Sequence, residues 1–288
     1  MLHVPVGANA FGTFLPSSTA RPAGAQGTSV TPSTTSLAAA TYAQILTALS
    51  TDAYGLLIAI NSNSANNSTR RTVVDISIDP AGGTTYNVVI PNLIAGGAPS
   101  YVTEGMAQWY YFPIFIPRGS TVAARAYGTV TTAIRVMAWA MQQPINPASI
   151  RKGSFVEAIG LGSPVYDGTA ITPGTATKSS WVPLGTTTKR LWWWQLGLEG
   201  TAADSSYAAN STIHLDLGVG DGTDPGTDMI LRDFPIRVGS AAETYSSMPI
   251  TVGCEWSVPA GSSLYVRAIN AATNETGGYT VIAYGMGG

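Results

Sequence analysis

The residues best placed to do chemistry are few. His214 stands two positions before Asp216 in "IHLDLGV", and serines are plentiful, so a serine–histidine–aspartate relay can be drawn on paper. Such a relay needs its serine raised on a sharp strand-to-helix turn of the Gly-x-Ser-x-Gly kind, and no such pentapeptide occurs. His214 therefore reads as a solvent-facing imidazole on a strand, and His3 lies in a terminal segment without periodicity. The one acidic cluster is "GVGDGTDPGTD", which puts Asp221, Asp224 and Asp228 on a Gly-rich loop. Carboxylates on such a loop can hold Ca²⁺ through oxygen ligands, but Asp-Gly and Asp-Pro-Gly are ordinary turn formers, and the plain loop is the preferred reading. Its Gly-x-Gly opens no helix and so is not a dinucleotide site. The single cysteine, Cys254, excludes an internal disulfide and cannot by itself build a metal site. No cofactor is expected, and no enzymatic activity.

Aromatic side chains are the stronger feature. "QWYYFPIF" carries Trp109, Tyr110, Tyr111, Phe112 and Phe115, and "RLWWWQL" carries Trp192, Trp193 and Trp194. Neighbours on a strand point to opposite faces. Trp193 should therefore oppose Trp192 and Trp194, and Tyr111 and Phe115 should oppose Phe112. Two apolar faces need two partners, one of them beyond the strand's own core. Trp109, Tyr111, Phe115 and Trp193 are accordingly expected to form an interface, because buried aromatics anchor protein contacts. Stacking of an exposed ring on a sugar is the alternative.

What positions these residues is a repeat. "IPRGSTVAARAYG" (116–128) returns as "VPAGSSLYVRAIN" (258–270), with Arg267 lying 142 residues after Arg125 and Pro259 the same distance after Pro117. "VDISI" faces "LDLGV" at an offset of 141, "AIRVMAWAM" faces "YTVIAYGM" at 145, and "GLLIAI" is set against "LWWWQL". Each copy reads as β. Ile76 and Ile78 alternate with Asp75 and Ser77, as Leu215, Leu217 and Val219 do with Asp216 and Gly218, the period of a half-buried strand. Phe112, Ile114 and Ile116 share one face, and so should Cys254, Trp256 and Val258. Pro-x-Gly makes the turn that follows, with Pro117 or Pro259 at its second position and Gly119 or Gly261 at its fourth. Arg125 and Arg267 close the corner. "SLAAATYAQILTALS" has helical propensity, but its counterpart "WVPLGTTTKR" contains Pro183 and Gly185, so both are read as extended.

The expected fold is all-β: two tandem jelly-roll-like β-sandwich domains with an extended N-terminal arm. The arm spans 1–35, the first domain 36–142, a linker with a possible hairpin around "SFVEAIGLG" 143–176, and the second domain 177–288. Charged residues are 10% of the chain, against roughly a quarter in ordinary soluble domains. Three lysines among 14 basic residues leave an arginine excess, a bias of buried protein contacts that arginine-rich codon usage would also produce. A net charge of −2 offers no footprint for nucleic acid or an anionic membrane. No apolar run approaches a membrane span of roughly 20 residues, and "MLHVPVGANAFG" does not read as a secretory signal. The arm is expected to be ordered only against neighbouring subunits.

"VDISIDPAGGTTYNVVIPNLIAGG", followed by an aromatic strand and "IPRGSTVAARAYG", resembles structural proteins of tailed-bacteriophage virions, which often carry an Ile-Pro-Asn-Leu stretch and an Ile-Pro-Ala-Gly-(Ser/Thr)-x-x-x-x-Arg corner. The resemblance is closest over 55–141 and weaker over 191–286, where "LRDFPI" replaces "IPNLI". It implies a virion component assembled in the host bacterial cytoplasm, whose partners are other virion proteins (the major capsid protein or tail proteins) and copies of itself. A capsid decoration or cement protein is the first expectation. A tail fibre, baseplate or adaptor protein, binding a host surface glycan through Tyr110 or Trp193, is the second. The family offers no catalytic residue to carry over.

Overall fold

A computed structural model describes residues 27–61, 72–95, 108–141, 153–162, 168–200, 212–220, 228–237, 256–270 and 279–288. No helix occurs among them. Eight strands fall in the first half: β1 (Thr28–Val30), β2 (Ala43–Leu46), β3 (Leu56–Asn61), β4 (Thr72–Asp79), β5 (Asn87–Ile94), β6 (Gln108–Phe112), β7 (Thr121–Gly128) and β8 (Ile134–Ala140). Eight follow in the second: β9 (Phe155–Ile159), β10 (Thr169–Ile171), β11 (Val182–Thr186), β12 (Trp193–Gly200), β13 (Thr212–Gly220), β14 (Met229–Arg237), β15 (Ser263–Asn270) and β16 (Tyr279–Gly287).

These strands build four antiparallel sheets, paired as two jelly-roll-like sandwiches. Sheet I has the order β1-β8-β3-β6 and faces sheet II, β2-β7-β4-β5; sheet III has β10-β16-β12, with β9 also on β16, and faces sheet IV, β11-β15-β13-β14. Sheets II and IV have the same order when strands are matched by repeat position. The duplication read from the corner motif is therefore a duplication of topology. Ile58, Ile60, Val136, Ile76, Ile90 and Val122 meet in the first core, and Leu196, Val281, Leu215, Leu217 and Val266 in the second.

Several expectations need correction. Strand β1 and a parallel bridge from Ser33 to Tyr127 place residues 28–33 in the first sandwich rather than in an arm; residues 1–26 lie outside the described residues. The stretch read as a linker supplies β9 and β10, which run in succession along one edge of β16. Among the described residues the stretch is joined to itself by the Leu161–Gly168 bridge and by the Thr169 hydroxyl, which donates to the Gly160 carbonyl at 3.1 Å. Strand β4 is buried along its whole length, so Asp75, Ser77 and Asp79 are not a solvated face. Pairing to β8 and β16 sets Leu57 opposite Trp139 and Gln195 opposite Tyr284. Gln195 is thus the counterpart of Leu57, which shifts the aromatic strand two residues from the alignment drawn on sequence. The Ala-rich "SLAAATYAQILTALS" holds turns and β2, without helix.

Candidate functional site

The repeated motif resolves into a four-part device, present twice on the outer faces of sheets II and IV. In the first copy the buried Asp75 carboxylate accepts the Asn92 backbone N–H at 3.0 Å through Oδ1 and the Arg125 Nε–H at 3.0 Å through Oδ2. In the second, Asp216 accepts the Asp233 N–H at 2.8 Å and the Arg267 Nε–H at 2.8 Å through the same two oxygens. Asn92 and Asp233 both adopt the left-handed conformation, φ 54° and 51°, which short polar side chains tolerate best after glycine. Pairing register shifts at these positions, between Val74 and Ile76 and between Leu215 and Leu217. The carboxylate thus satisfies a backbone donor that a β-bulge turns out of the ladder. An aromatic ring covers each arginine: Tyr42 lies 5.0 Å from the Arg125 guanidinium and Trp181 4.2 Å from that of Arg267.

The second copy adds a lysine. Lys178 Nζ donates to Asp216 at 2.7 and 2.8 Å and lies 2.6 Å from Asp233. Burial of Asp216 opposes its ionisation, but the Asp233 N–H, Lys178 and Arg267 outweigh that and hold its carboxyl below the usual carboxylate range. Partial burial likewise opposes the charge on Lys178, and Asp216 and Asp233 overcome it, raising the ammonium above its ordinary value. Asp216 is thus committed to structure, which removes it as an orienting partner for His214. Asp221 and Asp224 lie outside the described residues, and Asp228 is exposed. Among the described residues no group of three His, Cys, Asp or Glu side chains could hold a metal, and no helix is long and apolar enough to cross a membrane.

The turn of the motif differs by one position from the expectation. Ser120 N–H donates to the Pro117 carbonyl at 3.2 Å, so Pro117 opens the turn and Gly119 is its third residue, with φ 86°. That position of a type II turn requires positive φ, which glycine supplies without a Cβ clash. Gly261, at φ 83°, does the same in the second copy. The carbonyl of the proline is satisfied differently in each: the Ser120 hydroxyl donates to Pro117 O at 2.7 Å, and the Thr187 hydroxyl to Pro259 O at 2.7 Å.

The aromatic strands find their second partner within the same chain. β5 and β6, the edge strands of sheets II and I, are closed by the outer face of sheet III. Ile282, Tyr284, Met286, Trp192 and Val156 extend the first core. Tyr284 donates its hydroxyl to the Asn92 carbonyl at 2.8 Å and accepts the Ile94 N–H at 2.8 Å, while the Tyr110 hydroxyl donates to Ile94 O at 2.8 Å. The outward backbone of β6 is capped as well: Tyr111 N–H donates to Gln195 Oε1 at 3.2 Å, and Trp193 Nε1–H to Tyr111 O at 3.3 Å. Tyr111 and Trp193 rings meet edge-on at 6.1 Å, and burial pushes the Tyr111 phenol up. Of the four residues expected at an interface, Tyr111 and Trp193 thus serve a contact between the two halves of this chain, and Phe115 packs on Tyr54 at 5.6 Å. Trp109 alone is largely exposed, at 39%, stacked on Trp139 at 5.4 Å. Tyr110 and Trp193, the expected glycan contacts, are fully buried and half-buried.

Two face assignments also change. Trp192 precedes the strand and packs toward the first core together with Trp193, while Trp194 faces the second. Trp256 lies outside a strand, 45% exposed, with its carbonyl accepting Trp194 Nε1–H at 2.9 Å, whereas Val258 is buried; Cys254 lies outside the described residues. The sequence reading missed Tyr42, Lys178, Trp181, Asn92 and Tyr284. A signal for the device was present: Asp75 to Asp216 and Arg125 to Arg267 keep nearly the same offset, so opposite charges recur together.

No protein-family model matches the chain, and no curated protein matches it. Among solved structures, the N-terminal CBM22-1–CBM22-2 tandem domain from Paenibacillus barcinonensis Xyn10C is similar at 12% identity and a TM-score of 0.25, over 88% of this chain and 85% of that one. PNGase F, a glycosylasparaginase from Flavobacterium meningosepticum, is similar at 9% identity and a TM-score of 0.30, over 86% and 89%. Likenesses at these TM-scores carry no argument about function.

Proposed function

We propose that the chain is a non-enzymatic virion structural protein, a capsid decoration or cement protein that stabilises the particle through subunit–subunit contacts. The observation that carries this reading is the division of labour among its side chains. The charged groups of the repeated corners tie neighbouring strands within sheets II and IV, whereas Trp109 and Trp256 stand 39% and 45% exposed on a chain of which only 10% is charged. Tryptophans that lose water on contact are leading anchors of protein interfaces. The Ile-Pro-Asn-Leu stretch and the Ile-Pro-x-Gly-Ser corner, with their resemblance to tailed-phage virion proteins, supply the setting. The partners are then capsid or tail proteins and further copies of the chain.

Quantitative mass spectrometry of purified particles tests the proposal. A copy number comparable to that of the capsid protein is expected; a number far below it overturns the decoration role, and absence overturns the virion role. A tail position with glycan binding is the second reading, favoured by the flat, exposed Trp109 indole stacked on Trp139. Low copy number together with adsorption lost in Trp109→Ala is the result that selects it.

A further inference from the structure

The contact between the two sandwiches is asymmetric, and among the described residues each repeat holds a counterpart of the sheet face and of the edge strand β5 that make it. Repeat two offers the outer face of sheet III; repeat one offers the edge formed by β5 and β6. By repeat position, the outer face of sheet I corresponds to that of sheet III. Met137, Trp139 and Met141 stand where Ile282, Tyr284 and Met286 stand, at the offset of 145. Ala59 takes the place of Gly197, small in both, and a Cβ on Gly197 would come within 3.0 Å of Ile94 Cδ1. On sheet I the large aromatic at the Tyr284 position, Trp139, lies beneath Trp109, so the Trp109 indole is the outermost apolar group.

The receiving edge is repeated too. β14 corresponds to β5 and is likewise the last strand of its sheet among the described residues. Asp233 reproduces the left-handed backbone with which Asn92 presents its carbonyl to Tyr284, and Arg232, Asp233 and Pro235 are exposed. The chemistry of edge and face has changed together. Tyr284 both donates and accepts, and it meets a carbonyl and the Ile94 N–H. Pro235, in the place of Ile94, has no N–H to give, and Trp139, in the place of Tyr284, is buried under Trp109, so the face presents the Trp109 indole where sheet III presents a phenol.

We propose that this chain associates head to tail with further copies of itself, the outer face of sheet I, led by Trp109, seating on the β14 edge of the next copy. The contact repeats between molecules what already joins the sandwiches within one. It is heterologous, so it propagates into a ring or a filament rather than stopping at a two-fold dimer. It rests on the structural reading above for its biological setting and gives that role its partner.

Sedimentation velocity of the full chain across a concentration series tests the contact. Wild type is expected to grow past dimer with concentration. Trp109→Asp, which loses the face, and Pro235→Asp, which loses the edge, are each expected to remain monomeric. An equal mixture of the two should form a heterodimer and nothing larger, since one live face and one live edge remain. Thermal melting checks that both variants are folded, and Met137→Lys on the same face replaces Trp109→Asp if that variant melts early. Wild type that stays monomeric, or a dimer lost in Trp109→Asp but intact in Pro235→Asp, overturns the proposal. Particles that contain a chain which is monomeric alone would refute this contact while leaving the virion role standing. Head-to-tail oligomers of a chain missing from particles would do the reverse.

Discussion

Replacing Asp216 by Asn separates charge from shape on the outer face of sheet IV. The amide keeps an oxygen that can accept the Asp233 N–H, now 2.8 Å from Oδ1. It loses the negative charge that faces Lys178 and Arg267 at 2.7 and 2.8 Å, and its NH₂ group meets donors instead. A hydrogen bond to a charged group contributes about 1.5–3 kcal/mol. Both cations are partly exposed, at 21% and 27%, and recover some hydration, so the two bonds together should cost about 3 kcal/mol rather than their full sum. For a chain of 288 residues that lowers the melting temperature by roughly 5 °C. The loss depends on pH in a defined direction. The Asp216 carboxyl is held below its ordinary range, so its stabilisation is present above an unfolded pKa of about 3.9 and disappears as pH falls through the lower folded value. Scanning calorimetry of both proteins from neutral to acid pH should show the gap in melting temperature closing below about pH 4. Equal melting at neutral pH, or a gap that persists unchanged in acid, would refute the reasoning. Asp75→Asn serves as the internal comparison, with a smaller loss because only Arg125 faces it.

Gly119→Val and Gly261→Val should each destabilise by about 1–3 kcal/mol through backbone strain alone, because φ is 86° and 83° and a Cβ at either site meets nothing within 4 Å; unchanged urea midpoints would remove the turn assignment. Tyr284→Phe should cost about 1–3 kcal/mol, since the Asn92 carbonyl and the Ile94 N–H lose their partner between the sandwiches. Limited proteolysis should then separate the halves sooner than in wild type, and equal protection would show that the hydroxyl does not hold the seam.

The amino-acid sequence by itself determined the duplication, the strands and the corners. Alternation in "VDISI", the Pro-x-Gly turn and the offsets of Arg267 and Asp216 from their first copies are written in neighbouring residues, and local backbone preference is enough to decode them. The same local rules left the turn one residue out of place, because Gly119 suits more than one turn position until its φ is known. They also left "GLLIAI" two residues out of register with the tryptophan strand, because pairing to β8 and β16 sets that register from afar. What only the tertiary structure decided is what each second face touches. Trp193 and Tyr111 had to be covered, but alternation cannot say by whom; the folding of sheet III onto β5 and β6 makes it the chain's own other half. Asp75 and Arg125 are 50 residues apart and meet only because β4 and β7 lie side by side. Contacts of that kind come from packing between elements distant in sequence, which no period within one strand records.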